Sequence, residues 1–241
     1  MKQHDRWYSQ RLYSDVNVVR WGHYGQPVIV FPTAGGDAEE IERMHLVDAV
    51  GAQLEAGRVK LYSCDSVAGA AMLRGDGSAG YRAALLNAFH EFVRNEMIPA
   101  IRLDCHSDQI PVVAAGASIG AFNALALLCR YPDVVAAAIG MSGTYDVGRF
   151  VGDGGGEDLY FATPLYFVPG LQGEHLTLLR SRFAVLASGE GRWENIGESW
   201  RMADVLGGQG VPNRVDPWGP QYDHDWQTWR EMLPTYLEQL T

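Results

Sequence analysis

Cysteine is scarce in this chain. Cys64, Cys105 and Cys129 are an odd number at unrelated spacings with no C-x-x-C pair, which excludes a disulfide framework and points to a reducing compartment. Positive charge is short as well: 19 Lys and Arg stand against 29 Asp and Glu, a net charge of −10. Such a field repels phosphate backbones and anionic headgroups, so no nucleic-acid partner is expected. Long apolar runs are missing, none approaching the roughly 18 residues of a spanning helix. The N-terminus, Met1 to Arg6, leads into a polar segment without the apolar region of a signal peptide. The expectation is a cytoplasmic protein with no membrane partner. Nothing in the sequence fixes an oligomeric state, and a homo-oligomer stays open.

What is there suffices for a core, with 47% hydrophobic and 20% charged residues. No repeat, low-complexity tract or linker divides the chain, so residues 1–241 are expected to form one domain. The opening segment alternates, and Asn17 to Trp21 is β-rich before a turn at Gly22 to Pro27, which reads as an antiparallel hairpin. Val28 to Phe31 is a continuous apolar run ending at Pro32, the pattern of a strand buried on both faces. Ile110 to Ala115, Val134 to Met141 and Phe183 to Ala187 repeat it, and Asn213 to Trp218 reads as a last strand.

Helical spacing links these runs: Ile41 to Leu54, Leu85 to Met97, Ser118 to Arg130, Glu198 to Leu206, and Trp226 to Leu240 with Pro234 inside. Apolar strands alternating with amphipathic helices predict an α/β fold with a mainly parallel sheet covered on both faces. A Gly-rich stretch, Gly152 to Glu157, interrupts the rhythm. With Phe150, Tyr160, Phe161 and Tyr166 around it, it reads as a mobile insertion, near 148–175, over one sheet end.

The chemistry concentrates at Gly116-Ala117-Ser118-Ile119-Gly120. A G-x-S-x-G match alone says little. Here a buried strand runs into it and a small-residue helix runs out of it, the context of a nucleophile elbow, whose sharp turn leaves no room for side chains at the flanking positions. Ser118 would then stand at a helix N-terminus, where partial positive charge favours a developing oxyanion. A serine hydroxyl needs a histidine base, and the histidine a carboxylate to fix its tautomer.

Only His175 and His224 follow Ser118. His224, in Tyr222-Asp223-His224-Asp225-Trp226 between the last strand and the last helix, is the preferred base. The acid should lie beyond the Phe183 run, in Ser188-Gly189-Glu190-Gly191-Arg192-Trp193-Glu194-Asn195. Glu194 is favoured because a glycine pair lets the loop fold back toward His224, and Glu190 stays open; Asp146 and Asp204 are the next places to look. The oxyanion donors expected are the N–H of Ile119 and one from Phe31-Pro32-Thr33-Ala34-Gly35-Gly36-Asp37, with Ala34 preferred and Thr33 or Gly35 also open. Neither phosphate-loop pattern is present and no metal-ligand set converges, so no cofactor or metal is expected.

With the hairpin, the Gly22-His23-Tyr24-Gly25 turn before Pro27 and Val28, the Phe31 to Asp37 loop, the elbow and the terminal His224-Asp225-Trp226, the chain resembles an esterase group of the α/β-hydrolases. That group includes S-formylglutathione hydrolases of the esterase D type, feruloyl esterases and mycolyltransferases. The resemblance runs from about Trp7 to Leu240. It implies the α/β-hydrolase fold, Ser118 as nucleophile, His224 as base, and Ala34 and Ile119 as oxyanion donors. The acid loop lacks the aspartate commonest in the group, and glutamate fills that role in the mycolyltransferase branch. The expected activity is hydrolysis of a small-molecule carboxylic ester through an acyl-enzyme. Acyl transfer with the same residues and a non-catalytic ligand-binding member of the fold are the competing readings.

Overall fold

The structure, a computed structural model, describes residues 1–241. Continuous apolar runs have nowhere to go but the middle of a layered fold, and eight strands form one sheet there: β1 (Lys2–Ser9), β2 (Ser14–Trp21), β3 (Gln26–Phe31), β4 (Val59–Cys64), β5 (Val112–Ala117), β6 (Val135–Met141), β7 (Phe183–Ser188) and β8 (Asn213–Pro217). Their order is β1-β2-β4-β3-β5-β6-β7-β8. The β1–β2 hairpin is antiparallel and joins β4 antiparallel; every other pairing is parallel. This is the α/β-hydrolase arrangement, with helices on both faces.

The alternation of side chains along each strand divides the core. Ile29 and Phe31 of β3 and Leu186 of β7 face a layer made by α1 (Ala79–Phe92), α2 (Ile119–Arg130) and α3 (Ile196–Gly208), through Leu86, Phe89, Phe122, Leu125, Met202 and Leu206. Val28, Val30 and Val185 face the opposite layer, made by the segment 40–55 and α4 (Trp226–Leu240), through Ile41, Leu46, Trp229, Leu233 and Leu237. Both faces of β3, β5, β6 and β7 are thus buried, which is why those strands read as unbroken apolar runs.

Several expectations need correction. The strand β4 was not anticipated, because its sequence Val-Lys-Leu-Tyr-Ser-Cys carries three polar residues, all buried. Lys60 is tolerated there because Asp104 pairs with it. The expected helix from Ile41 to Leu54 is instead three short turns, Glu40–Arg43, Leu46–Ala49 and Gly51–Glu55, interrupted where His45 adopts a left-handed φ of 59°. The helix expected from Leu85 to Met97 starts earlier, at Ala79, passes through a π-helical turn at Val93–Met97 and continues as a further helix to Asp104. The fifth strand lies two residues later than the apolar run suggests, and α4 is continuous from Trp226 to Leu240, so Pro234, which reads in the sequence as a local kink or a late start, does not begin the helix. The aromatic insertion is folded, not a loop: it forms short helices at Gly148–Val151, Gly156–Ala162 and Pro164–Phe167. Asn87 of α1 bonds both the carbonyl and the carboxylate of Asp158 in it, at 2.8 and 2.9 Å, and Arg82 bonds the carbonyl of Val151.

Candidate active site

The parallel strands all end at one edge of the sheet, and the polar residues singled out above converge there. Ser118 follows β5 directly and caps α2 with φ 57° and ψ −120°. That is a left-handed-side conformation costing a non-glycine residue about 1–3 kcal/mol, which the surrounding structure must hold in place. The neighbours explain the glycines: a Cβ on Gly116 would lie 2.4 Å from the Gly120 backbone, and one on Gly120 would lie 2.5 Å from the Phe31 carbonyl oxygen. The tight turn is therefore also a contact with the loop after β3. Ser118 is half-buried, and its hydroxyl makes no capping hydrogen bond to α2.

That neighbouring loop sorts its own donors. The Thr33 N–H donates to Glu40 Oε2 at 2.7 Å and its hydroxyl to Glu40 Oε1 at 2.7 Å, so its amide is already used. The N–H groups of Ala34 and Gly35 make no hydrogen bond within the chain, and Ala34 is the more sheltered of the two. Ile119 supplies the first N–H of α2.

His224 lies in the connection between β8 and α4, and three pairings bring the acid loop to it. The Gly191 N–H bonds the Tyr222 carbonyl, the Arg192 N–H bonds the Asp223 carboxylate, and the His224 N–H bonds the Arg192 carbonyl at 3.0 Å. The loop folded in this way turns Glu194 inward, its side chain 1% exposed, with Oε2 3.5 Å from His224 Nδ1. This contact is longer than a formed hydrogen bond, as is common before substrate is bound. Glu190, by contrast, is exposed and its carboxylate has no partner. Asp146 is engaged by Arg201 and Tyr166, and Asp204 is exposed. His175 bonds the carbonyl of Cys129, away from this edge. Ser118 and His224 emerge from the same edge but share no hydrogen bond.

Three further residues meet at Glu194 that sequence reasoning did not single out. The Ser142 hydroxyl, from the residue after β6, donates to Glu194 Oε1. The Ser188 hydroxyl lies 3.2 Å from Oε2, its proton shared with the Gly189 carbonyl. The Trp229 indole N–H donates to Ser142 Oγ at 2.9 Å, and its ring meets the His224 ring edge to face with centroids 5.2 Å apart. No Lys or Arg pairs with Glu194. The only sequence trace of this cluster is Trp229 on the apolar face of the last helix.

Trp193, beside Glu194, is 82% exposed at a left-handed φ of 68°. Phe150, Tyr160 and Phe161 are exposed on the insertion. A cleft of about 950 Å³ lies at the opposite end of the sheet, lined by Arg20, Arg58, Lys60 and His106 among others, and takes no part in this arrangement.

The chain matches a known family. A family model described as "Putative esterase" matches residues 62–239, most of the chain. The chain belongs to this esterase family. Similar solved structures include a ferulic acid esterase at 17% identity and TM-score 0.77, covering 100% of this chain and 97% of that one. They also include an S-formylglutathione hydrolase from Agrobacterium tumefaciens at 12% identity and TM-score 0.74, covering 99% and 94%. A fluorophosphonate-binding serine hydrolase from Staphylococcus aureus is 12% identical at TM-score 0.70, covering 100% and 98%. At these identities the likeness is one of fold. No curated protein matches the chain significantly. No helix is long and apolar enough to cross a membrane.

Proposed function

We propose that this esterase-family chain is a serine carboxylic ester hydrolase acting on a small-molecule ester, with Ser118 as nucleophile, His224 as general base and Glu194 as its orienting acid. The observation that carries the reading is the sheltered Glu194 carboxylate held toward Nδ1 of His224, on the same sheet edge where Ser118 presents its hydroxyl from a strained elbow.

Glu194 accepts from Nδ1–H and so leaves Nε2 as the lone-pair nitrogen, the one that can take a proton. Ser118 Oγ attacks the acyl carbon while its proton passes to His224 Nε2. The carbonyl oxygen becomes an oxyanion beside the N–H groups of Ile119 and Ala34, where the N-terminus of α2 adds partial positive charge. Collapse of this intermediate breaks the ester C–O bond, and His224 returns its proton to the departing alcohol. Water, deprotonated by the same histidine, then attacks the acyl-enzyme and releases the acid and free Ser118. Buried Glu194 balances the imidazolium formed in each half-reaction.

A panel of acyl esters of varied chain length, with products analysed in the presence of added alcohol, tests the reading. Hydrolysis by the native chain and its loss in Ser118→Ala is expected. Formation of a new ester in preference to free acid would reassign the chemistry to acyl transfer. The rate should fall in acid, since a protonated imidazole cannot accept the serine proton. A flat profile from mildly acid to neutral pH, with chemistry limiting, would contradict the role given to His224.

A further inference from the structure

Glu194 is sheltered from water, yet no cation neutralises it. Something else must fix which way its carboxylate faces. An indole N–H can only donate and an ionised carboxylate can only accept, whereas a hydroxyl can do both but has a single proton. Between Trp229 Nε1 and Glu194 Oε1 the Ser142 hydroxyl therefore has one allowed arrangement. It accepts from the indole and spends its proton on Oε1. Oε1 is thereby committed, and Oε2, which also lies 3.2 Å from the Ser188 hydroxyl, is the oxygen that faces His224 Nδ1. The same indole packs its ring against the imidazole, at an interplanar angle of 85°. Trp229, only 3% exposed, touches the base directly and reaches the acid through one hydroxyl.

Ser142 occupies a left-handed backbone conformation, φ 49°, and its N–H is anchored to the Ala187 carbonyl at 2.8 Å. A non-glycine residue in that region is uncommon, and glycine would sit there without strain. Gly143 follows immediately, yet the strained position carries the hydroxyl. From this geometry we infer that Ser142 and Trp229 are positioning residues that fix the orientation of the Glu194 carboxylate relative to His224. The inference rests on the assignment of Glu194 and His224 given above. It assigns neither residue a contact with substrate.

A purely structural role predicts something different, and a double-mutant cycle separates the two. The variants are Ser142→Ala, Ser142→Gly and Trp229→Phe, each made in the native chain and in Glu194→Gln, with kcat and KM measured on one hydrolysed ester and folded fraction followed by circular dichroism. In the native background each should lower kcat by about 10- to 100-fold, the scale of one hydrogen bond to a charged group, with KM changed little. Glycine should be no better than alanine, because it relaxes the backbone but lacks the hydroxyl. In the Glu194→Gln background the same changes should lower kcat by less than about two-fold, since the carboxylate they orient is gone. Trp229→Phe keeps an aromatic ring while removing the N–H donor, and serves where a Ser142 variant fails to fold.

Native-like kcat in Trp229→Phe and the Ser142 variants overturns the inference, and so does an equal loss in both backgrounds. Recovery in Ser142→Gly but not Ser142→Ala would also overturn it, by tracing the effect to backbone strain. If Glu194→Gln alone retained native kcat, the assignment of the acid would fall first and this inference with it, a result readable before any Ser142 variant is made.

Discussion

Two sheltered carboxylates sit at opposite ends of the sheet, and their surroundings differ. Asp104, at the end where the parallel strands begin, is shared by Lys60, Arg20 and the Tyr62 hydroxyl. Burial pushes its carboxyl up, but the hydrogen bonds and charges of Lys60, Tyr62 and Arg20 outweigh that and leave it below the usual aspartate value. Glu194, at the other end, has only hydroxyls and the half-exposed His224. A charge cancelled by permanent cations holds elements together, here β4 to the segment after α1. A charge left to neutral donors remains available to a partner whose own charge comes and goes. In the proposed mechanism that partner is the imidazolium.

The comparison can be broken in order of effect. Ser118→Ala and His224→Ala should each lower kcat by up to about six orders of magnitude, and the double variant should be no slower than the worse single one, because nucleophile and base act as a unit. Steady-state assays on purified, folded variants check this. Glu194→Gln should lower kcat by about four orders of magnitude, since an amide neither balances the imidazolium nor enforces the tautomer, and its unfolding midpoint should move little. Asp104→Asn should do the reverse. It should leave kcat within about two-fold and cost about 3 kcal/mol in urea unfolding, because Lys60 and Arg20 lose their shared counter-charge.

That cost has a predicted pH dependence. The folded carboxyl titrates below the unfolded value of about 3.9, so its contribution is full above that value and is lost as the pH falls through the lower folded one. The stability gap between native and Asp104→Asn chains should therefore narrow in acid. An Asp104→Asn chain as stable as the native one at neutral pH would remove the contrast. Smallest of all, Glu190→Gln should change neither rate nor stability measurably.

The parts legible in the sequence are those set by local sterics or continuous burial. The elbow announces itself because a strand-to-helix turn packed on Phe31 leaves no room for a Cβ at Gly116 or Gly120. Strands β3, β5, β6 and β7 are visible because both their faces are buried. What stayed hidden depends on residues far away in the chain. β4 hides behind Lys60, whose partner Asp104 is 44 positions later. The break at His45 leaves the apolar spacing of residues 41–54 intact and so leaves no trace in it. Which glutamate faces His224 depends on pairings between 191–192 and 222–224, and the place of Ser142 depends on Glu194 and Trp229 together. No window of sequence contains those relations.

The central claim is that a serine on the elbow forms the covalent bond. Incubation with a fluorophosphonate, followed by intact-mass measurement and peptide mapping, tests it most directly. The account predicts one adduct per chain, on Ser118, formed in step with loss of ester hydrolysis and absent from Ser118→Ala. Undiminished ester hydrolysis by Ser118→Ala, or an adduct that maps to another residue while Ser118 stays unmodified, would contradict it.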